Sequence, residues 1–277
     1  MSAATEFAYL HRLTPAEAVA YLQGRGKLAQ TYSWMDLWQD EHAYQFTVSR
    51  LARLDILKAM QDGITESVSG DLTRRDWTRD MKALLRREGW WGEKKVVDPE
   101  TGKTVRTRFD SQRLNLIFGV NVRQAYAAGQ WQGIEAAKAT HPYVRYITQR
   151  DDRVRAAHRA WDGVTLPVDD PFWNTHTPPC DFRCRCRITT MTEEEYSKRS
   201  AEGRIKTSRP VEREATFVNK RTGEITKAPL GVNPGFAYNP GKAAMRQDAL
   251  ASLVEEKLSA AGPSLANAAR ADGLFSK

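Results

Sequence analysis

The sequence predicts a mostly helical α+β chain with short β-hairpins. Three observations carry that reading. Apolar residues recur at helical spacing through much of the first half. The β-prone runs are short and flank turn signals. All three cysteines crowd one stretch, Tyr146–Met191, where a small helix, a proline-rich loop and a strand follow one another. The expected organisation is a helical N-terminal region over 1–110 with a hairpin near 94–109. A compact α+β module then covers 111–192, and an extended C-terminal region with a hairpin and a terminal helix covers 193–277.

Taken in order, Thr14-Pro15-Ala16-Glu17 opens the first helix. It offers a hydroxyl N-cap, a proline at the first helical position and a glutamate at the third. That helix stops near Gly24. Ser33 with Asp36 opens a longer one, since Trp34 to Met60 holds no Gly or Pro. Trp34, Leu37, Trp38, Phe46, Leu51, Leu54 and Leu57 give it a wide apolar face. Trp77, Met81, Leu84 and Leu85 recur at i, i+4, i+7 and i+8 in a helix over Thr73–Glu88, which Gly89 ends. The turn DPETGK between β-prone runs makes Lys94–Phe109 a hairpin, and Phe217–Thr226 reads the same way. Nothing around the two hairpins matches, so they are not an internal repeat.

Asp110 begins a helix to about Lys138 with Gly119, Gly129 and Gly133 inside it. Glycine in a helix costs about 1 kcal/mol relative to alanine. Another backbone pressing close, or breaks in the helix, is therefore expected. Tyr143–Thr148 alternates as a strand. Asp151 or Asp152 caps a short charged helix that Gly163 ends. The loop Leu166–Pro179 holds four prolines, which restrict the unfolded chain, and is expected to pack through Phe172 and Trp173. The cysteine strand runs on through Arg187–Thr190, and Thr192 caps an acidic helix start. Lys198–Pro210 reads as a linker. The last helix, Ala243–Leu265, carries Leu250, Leu253, Val254 and Leu258 on one side.

Length and composition bound the function. A chain of 277 residues fits one large or two modest domains. Hydrophobic residues make up 41%, enough for a core, while a mean hydropathy of −0.60 implies a well-solvated surface. Lys+Arg 42 against Asp+Glu 34 leaves +8, which favours acidic partners such as double-stranded DNA. Three clustered cysteines do not make a disulfide framework, so a reducing compartment is expected. The polar start MSAATEFAYL is no signal peptide. No apolar run reaches the ~20 residues a membrane span needs, so no membrane partner is expected. No Walker A motif occurs, which disfavours an ATP-driven motor.

The chemistry of Tyr146–Met191 admits more than one reading. Cys180, Cys184 and Cys186 with His158 or His176 supply the ligand types of one structural zinc, which needs four soft or borderline ligands. The spacing is not that of paired C-x2-C motifs. Cys184 and Cys186 are equally well read as small buried core residues, so no cofactor is fixed by the sequence. Asp152, Arg155 and His158 sit three apart on a helix. They suit an acid/base or metal-binding pair of a nuclease, with Asp169-Asp170 nearby. They suit better a structural clasp in which Arg155 is pinned between the helix cap and the acidic loop Asp169-Asp170, and His158 donates to a carbonyl under the Pro178-Pro179 turn. Arg183, Arg185 and Arg187 alternate with the cysteines, so a strand puts arginines on one face and thiols on the other. Three guanidinium groups in a row can contact phosphate oxygens, or equally pair with Asp169, Asp170 or a partner's carboxylates.

In order along the chain, Asp152, Arg155 and His158, then Asp162-Gly163, then Pro167–Trp173, Pro178-Pro179 and Cys184-Arg185-Cys186 resemble the phage Mu F-like family of minor head proteins. NVRQAYAAG (121–129), GWWG (89–92) and GVNPGFAYNPG (231–241) extend the likeness over most of the chain. The resemblance implies a structural, non-enzymatic minor capsid protein, located in the phage head and in the host cytoplasm during assembly. It implies portal and major capsid or scaffold proteins as partners, and action in procapsid assembly and DNA packaging. The competing classes are a metal-dependent nuclease and a DNA-binding packaging accessory.

Overall fold

The computed structural model describes residues 16–37 and 41–260. In chain order, α1 (Ala16–Gly24) and β1 (Lys27–Leu28) lead to a short turn of helix, α2 (Glu41–Tyr44), and β2 (Gln45–Phe46). Two helices follow, α3 (Leu54–Ser69) and α4 (Arg74–Arg87), then the hairpin β3 (Gly92–Val97) and β4 (Thr104–Phe109). The long helix α5 (Ser111–Ala136) precedes β5 (Tyr143–Ile147), α6 (Ala156–Trp161), β6 (Thr165–Pro167) and β7 (Arg187–Met191). The remainder is α7 (Glu193–Ala201), the hairpin β8 (Glu214–Val218) and β9 (Ile225–Pro229), and α8 (Pro240–Ala260). The architecture is the mostly helical α+β one expected, with short sheets.

Two hydrophobic clusters hold it together, and α5 belongs to both. Leu114, Phe118 and Ala125 of α5 join Leu22, Leu57 and Trp77 of the helical half. Trp131 and Ile134, about two turns later, join Tyr146, Trp161 and Trp173 around the sheet. Asp110 caps α5 by accepting from the Arg113 backbone N–H. The helix runs unbroken for 26 residues despite its glycines. Gly129 is where α1 abuts it: a Cβ there would lie 3.2 Å from the Ala18 nitrogen, whereas Gly119 and Gly133 face open space.

The second cluster is built on a three-stranded antiparallel sheet in the order β6-β5-β7. Val144 of β5 pairs with Leu166 on one side and Thr190 on the other. Phe172 and Trp173 turn the proline-rich loop inward, and both are buried. Thr192 and Glu195 form a reciprocal capping box that starts α7, as the sequence suggested.

Several expectations need correction. The long helix over 34–60 does not form. Gln45-Phe46 pairs in parallel with Lys27-Leu28, and the Arg25 guanidinium donates to the Gln45 carbonyl from Nη2 at 2.9 Å. Arg50 adopts φ +62, so helix resumes only at Leu54. A tertiary contact and a left-handed residue override the apolar period. The cysteines precede the strand and do not lie in it, because β7 begins at Arg187. The last helix forms, but Leu250 and Leu253 are exposed. The Thr14 cap and the segment beyond Ala260 lie outside the described residues.

Candidate functional site

The site begins at α6. Neither Asp151 nor Asp152 caps it: Arg155 holds the N-cap position without a side-chain bond. The Asp151 carbonyl instead accepts from the Val154 N–H at 3.2 Å, a turn that delays the helix. The Asp151 carboxylate is occupied by Arg185, whose Nη1 and Nη2 donate to it at 2.6 and 2.7 Å. That pairing holds the Asp151 carboxyl below its ordinary range. Arg155 pairs with Asp181 at 3.1 Å, in place of the expected Asp169-Asp170 loop, and donates to the Phe182 carbonyl at 2.8 Å. Two arginine bridges thus run between the start of α6 and the cysteine loop. Asp152 is exposed and stands outside this clasp.

The end of α6 is fixed as firmly. The Asp162 carboxylate accepts from the Thr148 N–H at 2.8 Å and from Arg150 Nε at 3.0 Å. Burial opposes its ionisation, but these donors outweigh burial and lower its pKa. Gly163 then turns at φ +85 into β6.

Between those ends the His158 side chain points inward. It is buried and stacks on Trp161 with ring centroids 4.9 Å apart. The acceptor expected under the Pro178-Pro179 turn is the Gly231 carbonyl instead, whose oxygen lies 2.9 Å from its Nε2. Its Nδ1 lies 3.7 Å from Cys184 Sγ and 3.6 Å from Cys186 Sγ. All three ligand atoms fall within 4.8 Å of one another. Their mutual hydrogen bond pulls the Cys184 thiol down and pushes the Cys186 thiol up, while burial works upward on both.

Cys180 does not join this group. Pro178 and Pro179 lead into it, and its Sγ donates to the His176 carbonyl at 3.4 Å. The Tyr146 hydroxyl lies 3.8 Å away. Burial raises the Cys180 thiol well above its ordinary value. His176 is likewise turned into the core, stacked on Phe172 at 4.1 Å, and burial lowers its pKa to about 4.

The three arginines of the cysteine loop differ in state. Arg183 and Arg187 are exposed; Arg183 sits at φ +58. Arg185 is exposed too but engaged with Asp151, so only its neighbours present an unpaired guanidinium in this loop. Sequence reasoning paired Asp151 with Arg155 at i,i+4 and missed the residues that place this loop: Asp151 as the partner of Arg185, Asp181 as that of Arg155, Gly231 as the His158 acceptor, and Arg123 of α5, which donates to the Cys184 carbonyl at 2.6 Å. The signal for Gly231 was the glycine itself. At φ +98, a Cβ there would meet the Ala157 Cβ at 2.4 Å. Beside the loop, a groove of about 560 Å³ is lined by Arg25, His42, Arg113, Gln124, Phe182 and Arg183.

Fold and site together define a mostly helical α+β protein whose small sheet module is clasped by arginine bridges around a buried histidine and two cysteines. Residues 56–189 match the family described as "Phage Mu protein F like protein". It is 32% identical over 262 residues to the "Putative capsid assembly protein F" of Escherichia phage Mu, covering 88% of this chain and 58% of that protein. It is 29% identical over 231 residues to the "Mu-like prophage FluMu F protein" of Haemophilus influenzae, covering 79% of this chain and 54% of that one. The chain thus spans little more than half the length of these relatives. No solved structure matches it at a significant level.

Proposed function

We propose that the protein acts structurally in phage head assembly, as a minor head component that meets portal and capsid or scaffold proteins while DNA is packaged. The observation that carries this reading is the 32% identity, over 88% of the chain, to a relative named for capsid assembly. The character of the site agrees with a structural role. The Asp151–Arg185 and Arg155–Asp181 pairs tie one backbone segment to another. The family residues Asp162 and Gly163 terminate a helix. Asp152 and His158, the pair a nuclease would use, are divided between an exposed position and a buried ring already bonded to Gly231. No helix among the described residues is long and apolar enough to cross a membrane.

Deletion of the gene from a phage or inducible prophage that carries it tests the proposal. Heads should be empty, aberrant or non-infectious, and expression in trans should restore filled particles. Normal yields of infectious particles from the deletion would refute it. Incubation of the purified chain with double-stranded DNA and Mg²⁺, Mn²⁺ or Zn²⁺ should leave the DNA intact. Cleavage lost in His158→Ala would return the nuclease reading to first place.

A further inference from the structure

We propose that His158, Cys184 and Cys186 form a binding site for one soft divalent cation of the zinc class. The first argument is geometric. Zinc holds thiolate sulfur at about 2.3 Å and imidazole nitrogen at about 2.0–2.1 Å, so two such ligands on a tetrahedral centre stand about 3.6 Å apart. The Nδ1-to-sulfur separations are 3.6 and 3.7 Å.

The second argument is the tautomer. A carbonyl oxygen can only accept, so the 2.9 Å contact with Gly231 puts the proton of the neutral ring on Nε2. Nδ1 is then the bare nitrogen, and it faces the sulfurs. Fixing a ligand histidine through its other nitrogen is the usual outer-shell arrangement at metal sites. Here it is already in place.

The third argument concerns what the alternative leaves over. Nδ1 offers one lone pair, yet two thiols converge on it. In a packed core only one S–H can donate to that nitrogen, and the other is left to the neighbouring sulfur, a weak acceptor. One cation bound to two thiolates and the bare nitrogen satisfies all three groups at once, with the thiol protons released on binding. Carbon and sulfur neighbours suit a soft ion: Trp161 stacks on the ligand ring, and no carboxylate belongs to the group among the described residues. Cys180 stays with the His176 carbonyl, and the fourth position is left to solvent or a mobile donor. Such a centre would fasten α6 to the cysteine loop and, through Gly231, to the segment after β9.

The full chain, expressed with zinc in the medium and purified without chelator, should carry about one zinc by elemental analysis. X-ray absorption at the zinc edge should show two sulfurs and at least one nitrogen. His158→Gln and Cys186→Ser should each lose most of the metal, whereas Cys180→Ser should retain it. Should a variant fail to fold, the wild-type chain still decides: a chelator should lower its Tm and added ZnCl2 should restore it. A metal-free wild-type chain whose Tm responds to neither reagent overturns the proposal. So does a zinc shell made only of oxygen. Loss of zinc in Cys180→Ser, with retention in Cys186→Ser, overturns the ligand assignment.

Discussion

His158 Nε2 donates to the Gly231 carbonyl across 2.9 Å, joining residues 73 positions apart in sequence. The contact exists because the Gly231 segment can press against α6. At φ +98, and with Ala157 Cβ only 2.4 Å from where a Cβ would be, no other residue fits.

Gly231→Ala should therefore be costly although it adds one methyl group. A left-handed non-glycine residue costs about 1–2 kcal/mol, and forced overlap in a packed site adds about 1–3 kcal/mol. Thermal denaturation should show a clear loss of Tm. Gly163→Ala, with φ +85 but nothing within 4 Å of its Cβ, should cost only the first part.

The glycines of α5 give the opposite contrast. Gly133 lies inside the helix with open space beside it. Gly133→Ala should stabilise by about 0.5–1 kcal/mol, because alanine loses less conformational freedom on folding. Gly129→Ala must push against the Ala18 nitrogen at 3.2 Å and the Glu17 Cβ at 3.3 Å, and should destabilise. Paired urea melts separate the two signs.

Arg221 gathers three carboxylates from distant parts of the chain. It lies 3.0 Å from Asp36, 3.4 Å from Asp98 and 2.5 Å from Glu100. The turns of the two hairpins thus meet at one guanidinium, above an Asp36 side chain that is 6% exposed. Removing one partner of a buried pair strands the other charges, so Arg221→Ala should lower Tm by roughly 3–8 °C.

The same network sets an acid dependence. Burial alone would raise the Asp36 carboxyl, but hydrogen bonds from Asn219, Ser33, Arg221 and Tyr32 outweigh it and lower the pKa. A depressed carboxyl contributes stability that is fully present above the unfolded value, about 3.9. That contribution is lost as pH falls through the lower folded value. Wild type and Arg221→Ala should therefore differ most near neutral pH and converge below about pH 4.

Any electrostatic grip on DNA by the cysteine loop falls to Arg183 and Arg187, since Arg185 is held by Asp151. The double variant Arg183→Ala, Arg187→Ala should weaken DNA binding and make its salt dependence shallower by about 2 in logarithmic slope. Arg185→Ala should leave that slope unchanged. Its ion pair is partly exposed at both ends, so stability should fall by no more than about 1 kcal/mol.

Local signals in the sequence were the reliable ones. Helices open at Thr73, Asp110 and Thr192 where the sequence began them, each capped by that side chain, and both hairpins form around their turn signals, whereas the cap read at Asp151 or Asp152 does not form. The alternation of exposed arginines with thiols turned inward over 183–186 also holds, Cys184 buried and Cys186 half-buried, although the strand starts later. What was not legible depends on partners remote in the chain. The break in the 34–60 helix comes from Arg25 reaching Gln45. The acceptor for His158 comes from Gly231, and the arginine partners Asp151 and Asp181 could not be chosen from several equivalent acids by spacing alone. The separation of Cys180 from Cys184 and Cys186 likewise turns on what each thiol meets, the His176 carbonyl for Cys180 and the His158 ring for the other two.

The most direct test of a head-assembly role is mass spectrometry of gradient-purified procapsids and mature heads from a phage that encodes this chain. The account predicts that the chain co-sediments with portal and major capsid protein in the assembling particle. Its absence from every particle fraction, while it accumulates unassembled in the lysate, would contradict that account.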